Sequence, residues 1–352
     1  MMDSRNGGWE MAETTAASKY RWPAEWEPHQ ATWLAWPHNR DTWPGIFDRI
    51  PPIYAKLVET IARYEPVQIL AGGANILRQA QQLVGHLPQV TLHEIPTNDA
   101  WIRDHGPTFV HSAEPTAPSV VDWQYNAWGG KYPPWDRDQA VPQKIAAMHQ
   151  HPHLPCELVL EGGAIDGNGA GTLLTTRSCL LNPNRNPGLS AESAVRYLAH
   201  YLGAQHVIWL DGAGIAGDDT DGHVDQLARF VSQRTVVCAR QSEPQDFAGD
   251  ALEVQFTSLQ RGTTALGDPL EVIPLYLPAP KCFQSQRLPT SYCNFYILNQ
   301  AVIVPTFDDP ADELALDTLR QLFPHRDVIP FPSLDLVWGL GAIHCLTQQQ
   351  PA

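Results

Sequence analysis

Short apolar runs alternate along the chain with stretches in which apolar residues recur at helical spacing. An apolar run at 31–36 predicts a buried strand, and Ile53, Leu57 and Ile61 then predict a helix over 50–64. Other apolar runs predict strands at 67–70, 90–95, 108–111, 119–123, 157–160, 172–176, 207–210, 270–274, 294–298, 301–305 and 328–330. Other helical patterns predict helices at 75–85, 139–149, 191–202 and 245–259, and one capped by Asp309 and Pro310.

These elements recur as two strands, a helix and a further strand, about every 60 to 70 residues. No long linker or low-complexity segment divides the repeats. The pattern therefore predicts one α/β domain of cyclic repeats over residues 21–352. Residues 1–20 lack the pattern and are expected to be a disordered leader, in which Met1 and Met11 are both possible starts of translation.

Composition narrows the class of protein. The chain has 352 residues and a formal net charge of -15, which argues against nucleic acid and anionic membranes as partners and is compatible with a cationic small molecule. Its six cysteines form no C-x-x-C pair, and the sequence has neither a signal-peptide pattern nor an apolar run of membrane-spanning length. We expect a cytoplasmic protein with reduced thiols. The sequence is compatible with a homo-oligomer.

Residues 217–225 hold four aspartates, one histidine and two glycines. Carboxylates are seldom fully buried unless they are paired, so one interpretation is a solvated acidic loop. The alternative is a reactive site, because His223 and Asp225 are two residues apart. In an extended segment both side chains would point to the same face and would set a proton shuttle beside an anion.

A nucleophile is available near the C-terminus. Cys345 follows the flexible, glycine-containing run 339–342, which lets the backbone bend close to a substrate. A thiolate and a separate histidine form a coherent catalytic pair. As an isolated residue, however, a cysteine is more often a small packing residue.

Two further carboxylates stand in motifs suited to a cationic substrate. Asp104 follows Trp101 closely, and a carboxylate beside an aromatic plane suits a planar cation. The alternative there is a surface ion pair of Arg103 and Asp104, with Trp101 in the core. Glu161 ends a predicted strand before two glycines, where it would orient an imidazole or merely mark an exposed turn.

No metal is expected. The histidine-containing run 149–153 is predicted to be an exposed loop, because Pro152 breaks regular structure and no carboxylate or cysteine adjoins it at ligand spacing.

Long motifs occur in a fixed order and together identify a family. They are Trp22 to His29, Asn98 to Asp104, Leu160 to Gly163, Asn182 to Pro187, Gly217 to Asp225 and Ile343 to Gln349. The chain resembles the agmatine deiminase family, which includes Porphyromonas-type peptidylarginine deiminases, from about residue 21 to its end. The resemblance implies a five-bladed, pseudo-symmetric α/β propeller, the pentein fold, with a central active site and no metal or other cofactor.

By motif match, the resemblance also implies roles for single residues. Cys345 is similar to the family's nucleophile, His223 to its general acid and base, and Glu161 to the residue that holds the histidine.

The same match implies four substrate-binding residues. Asp104 and Asp225 resemble the carboxylates that clamp the guanidinium, and Trp101 is expected to flank the aliphatic stem of the substrate. Asn294 is similar to an active-site asparagine of the family.

The activity implied is hydrolysis of a small cationic guanidino compound, with agmatine and a role in polyamine biosynthesis as the leading expectation. Leu340, Ala342, His105 and the loop 129–134 depart from the usual agmatine pattern. Free arginine, peptidyl-arginine and other guanidino compounds therefore stay open as substrates. An amidinotransferase and a non-catalytic pentein binding protein are the remaining alternatives.

Overall fold

The computed structural model describes residues 18–112, 117–211, 214–241 and 247–352. The strands are β1 Tyr20–Arg21, β2 His29–Ala35, β3 Val67–Leu70, β4 Val90–His93, β5 Thr108–Ser112, β6 Ser119–Gln124, β7 His153–Val159, β8 Ile165–Gly167, β9 Thr172–Thr176, β10 His206–Leu210, β11 Ala228–Phe230, β12 Thr235–Arg240, β13 Glu271–Tyr276, β14 Cys282–Phe283, β15 Gln286–Arg287, β16 Tyr296–Ile297, β17 Ala301–Thr306, β18 Asp327–Pro332 and β19 Gln348–Pro351.

Eleven α-helical segments accompany these strands within the described ranges. They are α1 Ile50–Ile61, α2 Ala74–Val84, α3 Ile102–His105, α4 Ala127–Gly130, α5 Asp136–Gln139, α6 Val141–His149, α7 Arg177–Leu180, α8 Ala191–Leu202, α9 Phe247–Gln260, α10 Ala311–Leu322 and α11 Leu334–Val337. Short 3-10 turns occupy Phe47–Arg49, Gly162–Ala164, Val224–Gln226, Tyr292–Asn294 and His344–Leu346.

Five sheets share one pairing pattern. Their strand orders are β19-β2-β3-β4, β1-β5-β6-β7, β8-β9-β10, β11-β12-β13 and β16-β17-β18. Each sheet contains an antiparallel pair followed by a parallel pair, and the two strands of that parallel pair are joined by α1, α6, α8, α9 or α10. The four-stranded sheets add the parallel pair β3-β4 or the antiparallel pair β1-β5. A parallel connection needs such a crossover, because its second strand starts at the far end of the sheet. The repeat predicted from the sequence is confirmed as five units.

A helical turn precedes the first strand of every unit. These five inner turns are α3 before β5, 162–164 before β8, 224–226 before β11, 292–294 before β16 and 344–346 before β19. The turn α3 contacts those at 162–164 and 344–346, and the turn at 224–226 contacts those at 162–164 and 292–294. Hydrogen bonds from the backbone of His344 and Cys345 to Asn294 link the remaining pair. Residues from five distant parts of the chain therefore meet at one place.

The C-terminal strand β19 pairs with β2 and brings the two ends of the chain into one sheet. Its residues Gln348, Gln349 and Gln350 are buried and form hydrogen bonds to Pro107, Arg103 and Trp33. Buried polar groups require such partners. The sequence predicts no strand here, because strands are predicted from apolar periodicity and these residues are polar.

Most predicted elements agree with the structure, and β3, β9 and α8 have the predicted bounds. The short strands β8 and β11 have no predicted counterpart, because three residues carry too little periodicity. Neither has β12, although its residues 236–239 form a buried apolar run that favours a strand.

The expected loop at 149–153 is confined to residues 150–152, of which Gln150 and Pro152 are exposed. His149 ends α6, and His153 opens β7, four residues earlier than predicted. His153 Nε2 lies 2.7 Å from Asp122 Oδ2 on the neighbouring strand β6. Strand pairing therefore supplies a carboxylate that sequence spacing did not reveal.

Residues 1–17 of the expected leader lie outside the described residues, and its last residue, Tyr20, pairs with Ser112 in β1. None of the helices in the described ranges has the length and apolar character needed to cross a bilayer.

Candidate active site

All seven candidate residues lie together beside a cavity of about 790 Å³. Trp101, Asp104 and Cys345 line the cavity. The other four, Glu161, His223, Asp225 and Asn294, are buried behind these three. His223 contacts Asp104, Asp225 and Asn294 contact Cys345, and Glu161 contacts His223. All seven come from, or directly precede, one of the five inner turns, which explains how residues as far apart in sequence as Trp101 and Cys345 converge.

Cys345 is held by the neighbouring turn. Asn294 Nδ2 donates to Cys345 Sγ at 3.2 Å, and the Cys345 thiol donates to Asp225 Oδ2 at 3.6 Å. Burial raises the pKa of the Cys345 thiol well above its usual value, and the negative charges of Asp225 and Asp104 add to that rise. The resting side chain is therefore a thiol, and a bound cation would favour the thiolate by offsetting the two carboxylates.

Asp104 is fixed by two donors. Its Oδ1 accepts from the backbone of Gly163 at 2.9 Å, and its Oδ2 accepts from Trp128 Nε1 at 2.9 Å. The pKa of Asp104 is nevertheless raised. Burial is the largest cause, and together with the negative charges of Asp225 and Glu161 it outweighs the attraction of His223.

Asp225 is more strongly stabilised as an anion. Its Oδ2 accepts from Asn294 Nδ2 at 3.1 Å and lies 2.8 Å from His344 Nδ1. Burial opposes ionisation, but the contact with His344 and the charges of His223 and Arg229 lower the pKa of Asp225. Its other oxygen, Oδ1, is buried and has no hydrogen-bond partner within the described residues, so it is available to a ligand.

His223 stands between two carboxylates. Its Nδ1 is 3.7 Å from Asp104 Oδ1 and its Nε2 is 3.5 Å from Glu161 Oε2. Burial lowers the pKa of His223, yet Asp104, Cys179 and Glu161 together raise it well above the usual value. Among the described atoms neither ring nitrogen has an aligned hydrogen-bond partner, so the imidazole is held by charge attraction and not by hydrogen bonds.

Glu161 is in turn held by an arginine. Arg185 Nε donates to Glu161 Oε1 at 3.0 Å, and both side chains are almost fully buried. Burial opposes the charge, but His223 and Arg185 lower the pKa of Glu161 to about 2. The carboxylate therefore stays ionised at neutral pH and keeps the imidazole positively charged.

Trp101 forms the wall next to the nucleophile. Its ring centroid is 5.3 Å from that of Trp43, and only 5% of Trp101 is exposed. A Cβ on Gly341 would lie 2.6 Å from the Trp101 ring and 3.0 Å from Cys345 Cβ. The glycine therefore lets the indole pack against the turn that carries Cys345.

Two expectations from the sequence need correction. His223 and Asp225 do not lie on an extended segment, because residues 224–226 form a 3-10 turn. The surface pair of Arg103 and Asp104 is also wrong. Both residues are buried, and Arg103 turns away to Gln349, at 2.8 Å, and to Glu25.

The departures from the family pattern lie close to the site. Leu340 lines the cavity with a left-handed φ of 73°, and Ala342 is buried beside Cys345. His105 is buried and faces the ring of Tyr125, a cavity-lining residue, at a centroid distance of 5.9 Å.

Several supporting residues were not singled out from the sequence. His344 joins Asp225 to Glu25, Arg185 holds Glu161, and Trp128 holds Asp104. Each lies inside or next to a motif already noted, so motif membership was the available signal. Cys179 carried no such signal, because only the fold brings its Sγ within 3.6 Å of Glu161 Oε2.

One group of side chains in the described ranges has the geometry for a metal ion. The ligand atoms of Glu161, Cys179 and His223 lie within 4.8 Å of one another, and all three residues are buried.

Five repeated α/β units that meet at one thiol define the class of this protein, the pentein fold, and the predicted fold class is confirmed by comparison with solved structures. The chain superimposes on agmatine deiminase of Enterococcus faecalis with a TM-score of 0.89 at 31% identity, covering 97% of this chain and 99% of the other. A putative arginine deiminase from Porphyromonas gingivalis gives 0.87 at 35% identity, covering 95% and 98%.

Within that class, the chain belongs to the Porphyromonas-type peptidyl-arginine deiminase family, whose model matches residues 21–351. The agmatine deiminase of Stutzerimonas stutzeri is 38% identical over 97% of this chain and 98% of that protein. A putative agmatine deiminase of Legionella pneumophila strain Paris is 37% identical over 96% and 97%. The resemblance inferred from the motifs is confirmed.

Proposed function

We propose that this protein is a deiminase that hydrolyses agmatine to N-carbamoylputrescine and ammonia. The observation that carries the proposal is the thiol of Cys345, which contacts Asp225 and faces a cavity that Asp104 also lines. Two carboxylates beside a nucleophile suit a guanidinium, which is cationic and planar and has N–H groups to donate. The relatives named agmatine deiminase, two of which are described above, support the choice of substrate.

In the first step, the guanidinium binds between Asp104 and Asp225, and the free Oδ1 of Asp225 accepts one of its N–H groups. The positive charge lowers the cost of ionising Cys345, whose thiol proton passes to solvent, and the thiolate attacks the guanidinium carbon. Trp101 flanks the aliphatic stem. Fixing the carbon next to Sγ removes an orientational cost from the attack.

In the second step, His223 donates a proton to the departing nitrogen, and ammonia leaves an amidino-thioether on Cys345. The same imidazole then accepts a proton from water, which attacks the thioether carbon and releases the ureido product and the thiolate. Glu161, held by Arg185, keeps the imidazole oriented and basic enough to exchange protons. Asn294 supports the thiolate through its amide N–H.

Agmatine is arginine without its carboxylate, so it is a dication, whereas in arginine the carboxylate cancels one of the two positive charges. In the cavity wall, Lys131 Nζ is 3.0 Å from Asp221 Oδ2, so this cation is already paired. Asp219, Asp99 and Asp136 line the same cavity and favour an ammonium group.

Free arginine is the second candidate substrate, because Arg137 also lines the cavity and a guanidinium fork binds carboxylates well.

The test compares kcat/KM for agmatine, free arginine and an arginine-terminated peptide, with ammonia and ureido product both measured. Agmatine should exceed the others by at least tenfold, about 1.4 kcal/mol of transition-state preference. A larger value for arginine would reverse the substrate assignment and leave the deiminase chemistry intact. Amidino transfer to an added amine would identify an amidinotransferase, and binding without turnover would identify a non-catalytic protein.

Cys345→Ala and Cys345→Ser should both abolish turnover, because neither supplies a thiolate. The matched control is Cys282→Ser at an exposed cysteine, which should keep wild-type activity. Normal ammonia release by Cys345→Ala would rule out the covalent mechanism.

A cytoplasmic location and the lack of a nucleic-acid partner are proposed from composition alone. The net charge of -15 supports the second, since phosphate backbones attract basic faces.

A further inference from the structure

Cys179 is a buried thiol that the mechanism above does not use. It lies on α7, and its Sγ is 3.6 Å from Glu161 Oε2. The same oxygen is 3.5 Å from His223 Nε2, a nitrogen with no aligned hydrogen-bond partner among the described residues. A carboxylate oxygen, a thiol and an imidazole nitrogen thus converge on one point behind the catalytic histidine.

Two of the three separations among these atoms match tetrahedral coordination. Zinc binds sulfur at about 2.3 Å and nitrogen or oxygen at about 2.0 to 2.2 Å, so two ligands of one tetrahedral ion lie roughly 3.3 to 3.8 Å apart. The separations of Glu161 Oε2 from His223 Nε2 and from Cys179 Sγ, 3.5 and 3.6 Å, fall inside that range, and the third pair, Sγ and Nε2, lies within 4.8 Å. A water molecule would supply the fourth ligand.

The surroundings already hold the ligands in place. Arg185 occupies the other oxygen of Glu161, Oε1, which leaves Oε2 for a metal. Asp104 Oδ1 is 3.7 Å from His223 Nδ1, so coordination through Nε2 would keep a carboxylate beside the opposite ring nitrogen. Carboxylate–histidine–metal arrangements of this kind fix the tautomer of the ligating histidine.

We propose that Glu161, Cys179 and His223 form an inhibitory site for a thiophilic divalent cation such as Zn²⁺. The inference rests on the proposed deiminase function, in which His223 must exchange protons. A bound ion would form bonds to Sγ, Nε2 and Oε2 and would displace the thiol proton, and the imidazolium proton where present, into solvent. With its Nε2 lone pair on the metal, His223 cannot become an imidazolium. Nδ1, the nitrogen beside Asp104, then no longer exchanges a proton with the substrate, and turnover falls.

The kinetic consequence differs from that of a metal on the nucleophile. Cys345 lines the cavity, so a metal there would compete with substrate, whereas none of the three proposed ligands is among the cavity-lining residues of the described chain. Inhibition through Cys179 should therefore persist at saturating agmatine.

The site is tested by Co²⁺ binding, read from thiolate-to-cobalt charge-transfer absorption, which is independent of turnover. Wild type should bind one equivalent, Cys345→Ala and Cys282→Ser should retain the band, and Cys179→Ser should lose it. If Cys179→Ser does not fold, by near-UV circular dichroism, Cys179→Ala and His223→Asn provide the same measurement. The proposed site would be overturned by a band that survives the replacement of Cys179, or by one that is lost when only Cys345 is replaced.

Inhibition is tested with Zn²⁺ at saturating agmatine, each variant being compared with its own metal-free rate. Wild type should lose about tenfold or more of its rate, and Cys179→Ser should need at least about tenfold more Zn²⁺ for the same loss. Chelators should restore wild-type activity. A chelated enzyme that turns over normally but resists Zn²⁺ would refute only this inference, whereas a chelated enzyme without deiminase activity would refute the proposed function. Loss of activity on chelation that Zn²⁺ reverses would make the metal an activator and overturn the inhibitory role.

Discussion

At the scale of single residues, Gly163 lets the reactive groups approach one another closely, because it has no Cβ. A Cβ added there would lie 2.6 Å from His223 Nδ1, 2.8 Å from Asp104 Oδ1 and 3.1 Å from Asp225 Oδ2. The backbone of Gly163 also donates to Asp104. The space above this glycine is therefore filled by the groups that we propose bind and protonate the substrate.

We expect Gly163→Ala to lower kcat/KM for agmatine by roughly a hundredfold, because misplacement of reacting groups by about 1 Å has that effect. The measurement is steady-state ammonia release, with thermal unfolding as the check that the variant is folded. Activity within twofold of wild type would show that the close contacts relax without cost.

The same charges should govern the pH at which Cys345 reacts. Its raised pKa means that the thiolate forms only at high pH in the free enzyme, and Asp104 contributes to that rise. Removing the negative charge in Asp104→Asn should move the pH midpoint of Cys345 alkylation downward. The midpoint is measured with iodoacetamide against a Cys345→Ser blank, and an upward shift would contradict this assignment of the cause.

At the scale of elements, short polar segments carry the site that long apolar segments hold in place. The five inner turns span three or four residues each and are positioned by the strands that follow them. The strand β19 has the same character, since its glutamines are buried and each meets a specific partner. One of these, Gln349, satisfies the buried guanidinium of Arg103, which neighbours Asp104 in α3.

Replacement of Gln349 by leucine should lower the free energy of unfolding by about 1–3 kcal/mol, because it leaves a buried donor of Arg103 without its acceptor. The matched control is Gln82→Leu on the exposed face of α2, which should change stability by less than about 0.5 kcal/mol. Both are measured by urea denaturation. Equal effects in the two variants would show that the buried hydrogen bond is energetically neutral.

At the scale of the whole molecule, the net charge of -15 and the acidic residues around the cavity should attract a dication over long range. Salt screens this attraction, since the Debye length falls from about 30 Å at 0.01 M to about 3 Å at 1 M.

Raising the salt concentration should therefore lower kcat/KM for agmatine through KM, with kcat unchanged. The decrease should be smaller for arginine, whose carboxylate cancels one charge. The measurement is initial rates at a series of NaCl concentrations for both substrates. Parallel decreases for the two would assign the effect to the catalytic groups and not to attraction of the second charge.

The sequence by itself determined the repeated units, the family and the seven candidate site residues. Apolar periodicity is a local property, so β3, β9 and α8 are readable from a few residues each. Long motifs carry side-chain chemistry in order along the chain, so Cys345, His223 and Asp104 stand out even without knowledge of their distances.

Only the tertiary structure decided which groups touch. Cys179 meets Glu161 and His223, and Gln349 meets Arg103, through strands and turns far apart in sequence. It also decided that the carboxylates are buried and that His223 is held as a cation. Burial and charge coupling depend on distances between units, which no local pattern contains, because each inner turn is placed by the packing of all five sheets.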